Sequence, residues 1–129
     1  MQGTRSTAHD IVAGVSMDVL FAGVPVAGFA AAVDWYTQLF GRPADIVAHD
    51  TEVMWRVVGD GWIYVVEDAD RAGRALVTIA VPDLEAAVDD VRARGIDPTP
   101  IEPVGASGLK STMADPDGNT ISLIEVRNA

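Results

Sequence analysis

The 129 residues are 49% hydrophobic and 22% charged, the balance of one folded domain and too little chain for a catalytic domain beside a separate regulatory one. Nineteen acidic against nine basic residues give a formal charge of −10, which repels phosphate backbones and excludes nucleic acid as an expected partner. The absence of Cys removes disulfides, thiolate metal sites and cysteine nucleophiles and fits a cytoplasmic location, while every apolar run breaks within about ten residues, short of a membrane span.

Residues 1–17 carry one Arg among scattered Gly, Ser and Thr and read as a flexible tail, with His9 a solvated residue within it. A single domain is expected over 18–129. Val19 to Val26 is a short apolar run ending before Gly28, the pattern of a buried strand. Phe29, Ala32, Val33, Tyr36, Leu39 and Phe40 then recur at helical spacing until Gly41 and Pro43 stop them. Ala44–Ala48, Val53–Val58 and Trp62–Glu67 follow as strands, the last two joined by Gly59-Asp60-Gly61, residues suited to a tight hairpin. His49 and Glu52 flank a turn and read as solvated.

The order then repeats. Ala75–Val81 predicts a strand, and Pro82-Asp83 opens a helix whose stripe is Leu84, Ala87, Val88 and Val91, with Gly95 capping it. Asp97–Val104, Leu109–Ala114 and Thr120–Val126 predict three further strands. The 103–109 stretch reads as a small, flexible connection, and Asp115-Pro116-Asp117-Gly118-Asn119 as a structural turn. Ala31-Ala32-Val33-Asp34 recurs as Ala86-Ala87-Val88-Asp89, and the same shift carries Phe21 onto Leu76. The fold class expected is therefore α+β, two βαβββ modules at about 18–68 and 74–127 forming a cupped mixed sheet with helices on its outer face.

Alternation separates the two faces of each sheet. Ala22, Val24 and Val26, then Val77, Ile79 and Val81, then Ile121 and Leu123 belong beneath the helices. Phe21, Gly23 and Pro25, then Leu76, Thr78 and Ala80, then Thr120, Ser122 and Ile124 face away, onto a half-apolar surface that something must cover.

The chain resembles the vicinal oxygen chelate superfamily of glyoxalase I, extradiol dioxygenases and bleomycin-resistance proteins. The likeness covers Asp18 to Arg127 and rests on Ala31-Ala32-Val33-Asp34-Trp35-Tyr36 through Leu39-Phe40-Gly41, on Val81-Pro82-Asp83-Leu84-Glu85-Ala86-Ala87 through Gly95, and on Asp115-Pro116-Asp117-Gly118-Asn119 before the closing strand. It implies paired βαβββ modules, commonly a dimer, with the site inside the cup. The metal positions it implies fall on Phe21, Tyr64, Leu76 and Ser122, of which Phe and Leu have no donor atom, Ser is a poor ligand and Tyr needs a deprotonated phenol.

No metal and no cofactor are therefore expected, and the cup becomes an apolar, aromatic pocket. The candidate ligand-binding residues are Phe21, Arg56, Trp62, Tyr64, Leu76, Thr78 and Ser122, with Arg56 suited to a carboxylate or enolate. Trp35, Phe40 and Met113 read as packing, and Glu67 and Glu125 as strand-end carboxylates facing water. The leading expectation is a metal-free homodimer of the bleomycin-resistance type that holds a small, partly aromatic molecule; the acid excess points to a cationic one. The alternatives are a metal-dependent lyase, isomerase or dioxygenase with other ligands, and an interaction protein whose cup a partner closes. Whether a reaction is catalysed stays open at this point.

Overall fold

The computed structural model describes residues 14–127. The expected tail lies largely outside the described residues, as does His9; residues 14–17 are exposed and without regular structure. The first module runs β1 (Leu20–Val26), α1 (Phe29–Phe40), β2 (Ile46–His49), β3 (Glu52–Val58) and β4 (Gly61–Glu67). The second runs β5 (Leu76–Ala80), α2 (Leu84–Ala93), β6 (Glu102–Val104), β7 (Gly108–Ala114) and β8 (Thr120–Val126). Each forms a four-stranded sheet, in the orders β1-β4-β3-β2 and β5-β8-β7-β6, with the first strand parallel to the last. Two βαβββ modules of an α+β protein are thus present.

The apolar periodicity explains the helices. Ala32, Tyr36 and Leu39 are the buried stripe of α1, and Gly41 ends it at φ 74, a left-handed conformation that glycine adopts without steric cost. Leu84, Val88 and Val91 are the stripe of α2, whose first turn is capped by the Asp83 carboxylate accepting from the Ala86 N–H. Both stripes and the helix-side residues of both sheets share one core, which includes Val24, Trp55, Ile63, Val65, Ile121 and Leu123. Burial of those alternate positions fixes the register, since a one-residue slip would turn each apolar set outward.

Three readings change. The strand expected over Asp97–Val104 shrinks to Glu102–Val104, because Pro98 and Pro100 lack the N–H that a ladder needs. The small connection at 103–109 closes as a β6–β7 hairpin, with Pro103 paired to Leu109 and Val104 to Gly108. Glu125 does not simply face water. Its Oε1 accepts the Leu84 N–H at 2.8 Å, at the start of α2, and its Oε2 accepts from Arg127 Nε at 2.8 Å.

Those two donors, the Leu84 N–H first, hold the Glu125 carboxyl below the ordinary glutamate value of 4.5. A depressed folded-state value stabilises the fold above the ordinary one, and this contribution is lost as pH falls through the lower, folded value. Thermal melts of Glu125→Gln and the native chain should therefore differ at neutral pH and converge in acid; parallel curves over the whole range would contradict this role.

The modules are joined by the turn between β7 and β8. Asp115 Oδ1 accepts the N–H groups of Asp117 and Asn119, each at 2.9 Å. Its Oδ2 accepts the Tyr36 hydroxyl of α1 at 2.8 Å and Asn119 Nδ2 at 2.9 Å. Asn119 in turn donates to the Pro25 carbonyl and accepts from the Ala75 N–H, while Asp117 Oδ1 accepts from the Ala27 N–H. The turn thus ties the end of β1 to the start of β5. A second tie runs from α2, where the Arg94 guanidinium donates to the Gln38 and Leu39 carbonyls at the end of α1.

Candidate functional site

The face of each sheet opposite the helices carries the residues that sequence reasoning singles out. On the first sheet Phe21, Trp62 and Arg56 lie side by side across β1, β4 and β3, and Gly23, Tyr64 and Met54 form the next row. The Phe21 and Trp62 rings stack with centroids 6.2 Å apart. Tyr64 lies against Gly23: a Cβ there would sit 2.5 Å from the phenol oxygen, so only glycine admits this ring position. Phe21 is 50% exposed, and Trp62 and Tyr64 are half-buried.

Arg56 has partners of its own. Its Nε donates to the Gly59 carbonyl and its Nη2 lies 3.7 Å from Asp60 Oδ1, so the guanidinium braces the β3–β4 turn. The strand beneath it is anchored by Asp45, whose carboxylate accepts from Arg42 and from the Arg56 N–H; the Arg42 guanidinium is the main cause holding it below the usual carboxylate range.

On the second sheet the corresponding face carries a polar row between Leu76 and Ile124. Leu76 pairs with Thr120, Thr78 with Ser122, and Ser122 with Thr112, so three hydroxyls form one row across β5, β8 and β7. Thr112 Oγ1 and Ser122 Oγ are 3.1 Å apart. Leu76 is 82% exposed, an aliphatic side chain left in solvent at the sheet edge. Lys110 stands two residues before Thr112 on the same face and opposite Ile124; sequence reasoning does not single it out.

Register equates the modules: Gly23 with Tyr64 in the first is matched by Thr78 with Ser122 in the second. Phe21, Arg56, Trp62 and Tyr64 are gathered on one sheet, and Leu76, Thr78 and Ser122 on the other. Trp62 and Thr78 also line a shared cavity of about 250 Å³ at the seam, walled by Ala22, Val57, Ile63, Val77 and Ile79.

The donor chemistry does not fit a divalent ion. Phe21 and Leu76 offer no donor atom, and the Ser122 hydroxyl is already engaged with Thr112. Among the described residues, no three His, Asp or Glu side chains are grouped as a metal site would require. No helix among the described residues is long and apolar enough to cross a membrane.

The model of a glyoxalase-like domain matches residues 18–124. A glyoxalase/bleomycin resistance protein of Catenulispora acidiphila DSM 44928 is 36% identical; the match covers 86% of this chain and 100% of that one, with a TM-score of 0.80. TnmS3, an antibiotic-binding protein from Streptomyces sp. CB03234, shares the fold at 20% identity and TM-score 0.71 over 88% of this chain and 99% of that one. So does lactoylglutathione lyase from Agrobacterium tumefaciens, at 16% identity and TM-score 0.66 over 87% and 96%. No curated protein matches the chain.

Proposed function

The chain belongs to the glyoxalase-like domain family, and from that premise we propose that it binds a small, partly aromatic molecule without a metal, as a homodimer whose second copy closes the sheet faces opposite the helices. The observation that carries this reading is the side-chain content of the four metal positions, Phe21, Tyr64, Leu76 and Ser122. Phe21 and Tyr64 put aromatic rings where the superfamily resemblance implies ligating side chains. Phe21, Trp62 and Tyr64 supply flat π-faces, each contributing about 0.5 to 1.5 kcal/mol beyond area burial when a planar ligand stacks on them.

The exposure of Phe21 and Leu76 supports closure by another copy, since apolar surface in that position gains free energy from being covered. An antibiotic-binding relative of the same fold supports a small-molecule ligand. Native mass spectrometry of the purified protein is the test. The reading expects a two-chain assembly carrying a small-molecule adduct that Trp62→Ala loses. A stoichiometric divalent ion that survives dialysis, or a single chain without an adduct, contradicts it.

A further inference from the structure

The chain contains one lysine, Lys110, beside eight arginines. Six of the arginines have polar partners: Arg42 with Asp45, Arg56 with Asp60, Arg71 with Asp68, Arg92 with Asp97, Arg127 with Glu125, and Arg94 with the carbonyls of α1. Lys110 differs. It is half-buried in the middle of β7, and among the described residues it makes no hydrogen bond or ion pair. Glu102 lies across from it on β6, yet that carboxylate is exposed and forms no ion pair with it. With no partner among the described residues, its ammonium is available to an incoming anion.

The surroundings complete a subsite. Thr112 lies two residues along the strand from Lys110, and Ser122 and Thr78 continue the row from it, three hydroxyls on the face that Lys110 shares. Along this row Ser122 is buried, at 4% exposure, Thr112 is half-buried and Thr78 is exposed. A cation beside hydroxyl donors matches an oxygen anion, because charge-assisted hydrogen bonds to such a group are roughly twice as strong as neutral ones. The aromatic face of the first sheet has no equivalent, its one guanidinium being tied to Gly59 and Asp60.

We propose that Lys110, with the Thr112 hydroxyl beside it, binds an anionic oxygen group of the ligand, so that the molecule held is an aromatic anion. This rests on the small-molecule reading above and narrows it. It reverses the cationic preference suggested by the net charge: the formal −10 describes the whole surface, whereas selectivity follows the groups at the site.

The experiment compares two planar probes, 1-anilinonaphthalene-8-sulfonate as the anion and 9-aminoacridine as the cation, titrated by fluorescence into the full chain and into Lys110→Gln and Lys110→Arg. The anion should bind the native chain about tenfold or more tighter than the cation. Lys110→Gln should remove that preference at unchanged melting temperature, and Lys110→Arg should keep most of it. Reductive methylation with ¹³C-formaldehyde labels Lys110 and the amino terminus; the lysine methyl resonance should shift on adding the anion and not on adding the cation. Equal binding of both probes, or an anion affinity that Lys110→Gln leaves unchanged, overturns this assignment alone. Failure of both probes to bind overturns it together with the small-molecule reading.

Discussion

Replacing Asp115 with alanine is expected to lower stability by about 3 kcal/mol and the melting temperature by on the order of 10 °C. The side chain is 5% exposed and its two oxygens accept four hydrogen bonds, from Tyr36, from the Asn119 amide and from two backbone N–H groups. Removing them strands buried donors, and such orphaned groups cost more than the net gain of the bonds they made. The Tyr36 hydroxyl is pinned in its neutral, donating form, since burial and then the Asp115 carboxylate push its ionisation well above the usual tyrosine range. Tyr36→Phe removes one donor and should cost about 1 kcal/mol, leaving the rest of the turn intact. Thermal and urea unfolding of the two variants checks the order. An Asp115→Ala loss no larger than that of Tyr36→Phe would contradict the role of this turn as the tie between modules.

The second large effect is expected at Trp55, whose truncation to alanine should cost about 4 kcal/mol. Trp55 is fully buried, with ring centroids 5.5 Å from Phe40 and 6.1 Å from Tyr36, and its indole N–H donates to the Arg42 carbonyl at 3.0 Å. Truncation leaves a cavity and an unpaired carbonyl at once. Trp55→Phe keeps most of the packing and should cost about 1 to 2 kcal/mol by urea unfolding. Because Trp55 faces the helices and Trp62 faces away from them, Trp55→Phe should leave aromatic-probe affinity unchanged while Trp62→Ala weakens it. A loss below about 1 kcal/mol for Trp55→Ala would contradict the packing account.

The periodic segments were legible because each has one buried face. The apolar spacing from Phe29 to Phe40 bounds α1 between Gly28 and Gly41, and Thr120–Val126 is β8 to the residue. The Asp97–Val104 segment misleads because apolar Ile96 and Ile101 mark burial, not pairing, and Pro98 and Pro100 confine the ladder to Glu102–Val104. Glu125 and Asp115 look like ordinary polar residues at a strand end and a turn. Their partners, Leu84 and Tyr36, are 41 and 79 positions away, a separation no local pattern reports.

The candidate site divides in the same way. Which residues face away from the helices follows from alternation alone, so the aromatic surface of Phe21, Trp62 and Tyr64 is legible in the sequence. What Arg56 does is not, because the bulge between Arg56 and Val58 brings Gly59 and Asp60 within its reach. Lys110 did leave a signal, as the only lysine in the chain, standing alternate to Thr112 within a strand. Its meaning depends on the absence of a partner among the described residues, which is a fact of the fold.

The most direct measurement is the affinity of 1-anilinonaphthalene-8-sulfonate for protein dialysed against a chelator, compared with undialysed protein and with protein to which zinc or manganese is restored. The account predicts one saturable site per chain with the same affinity in all three samples. Binding that disappears with the chelator and returns with the ion would contradict it.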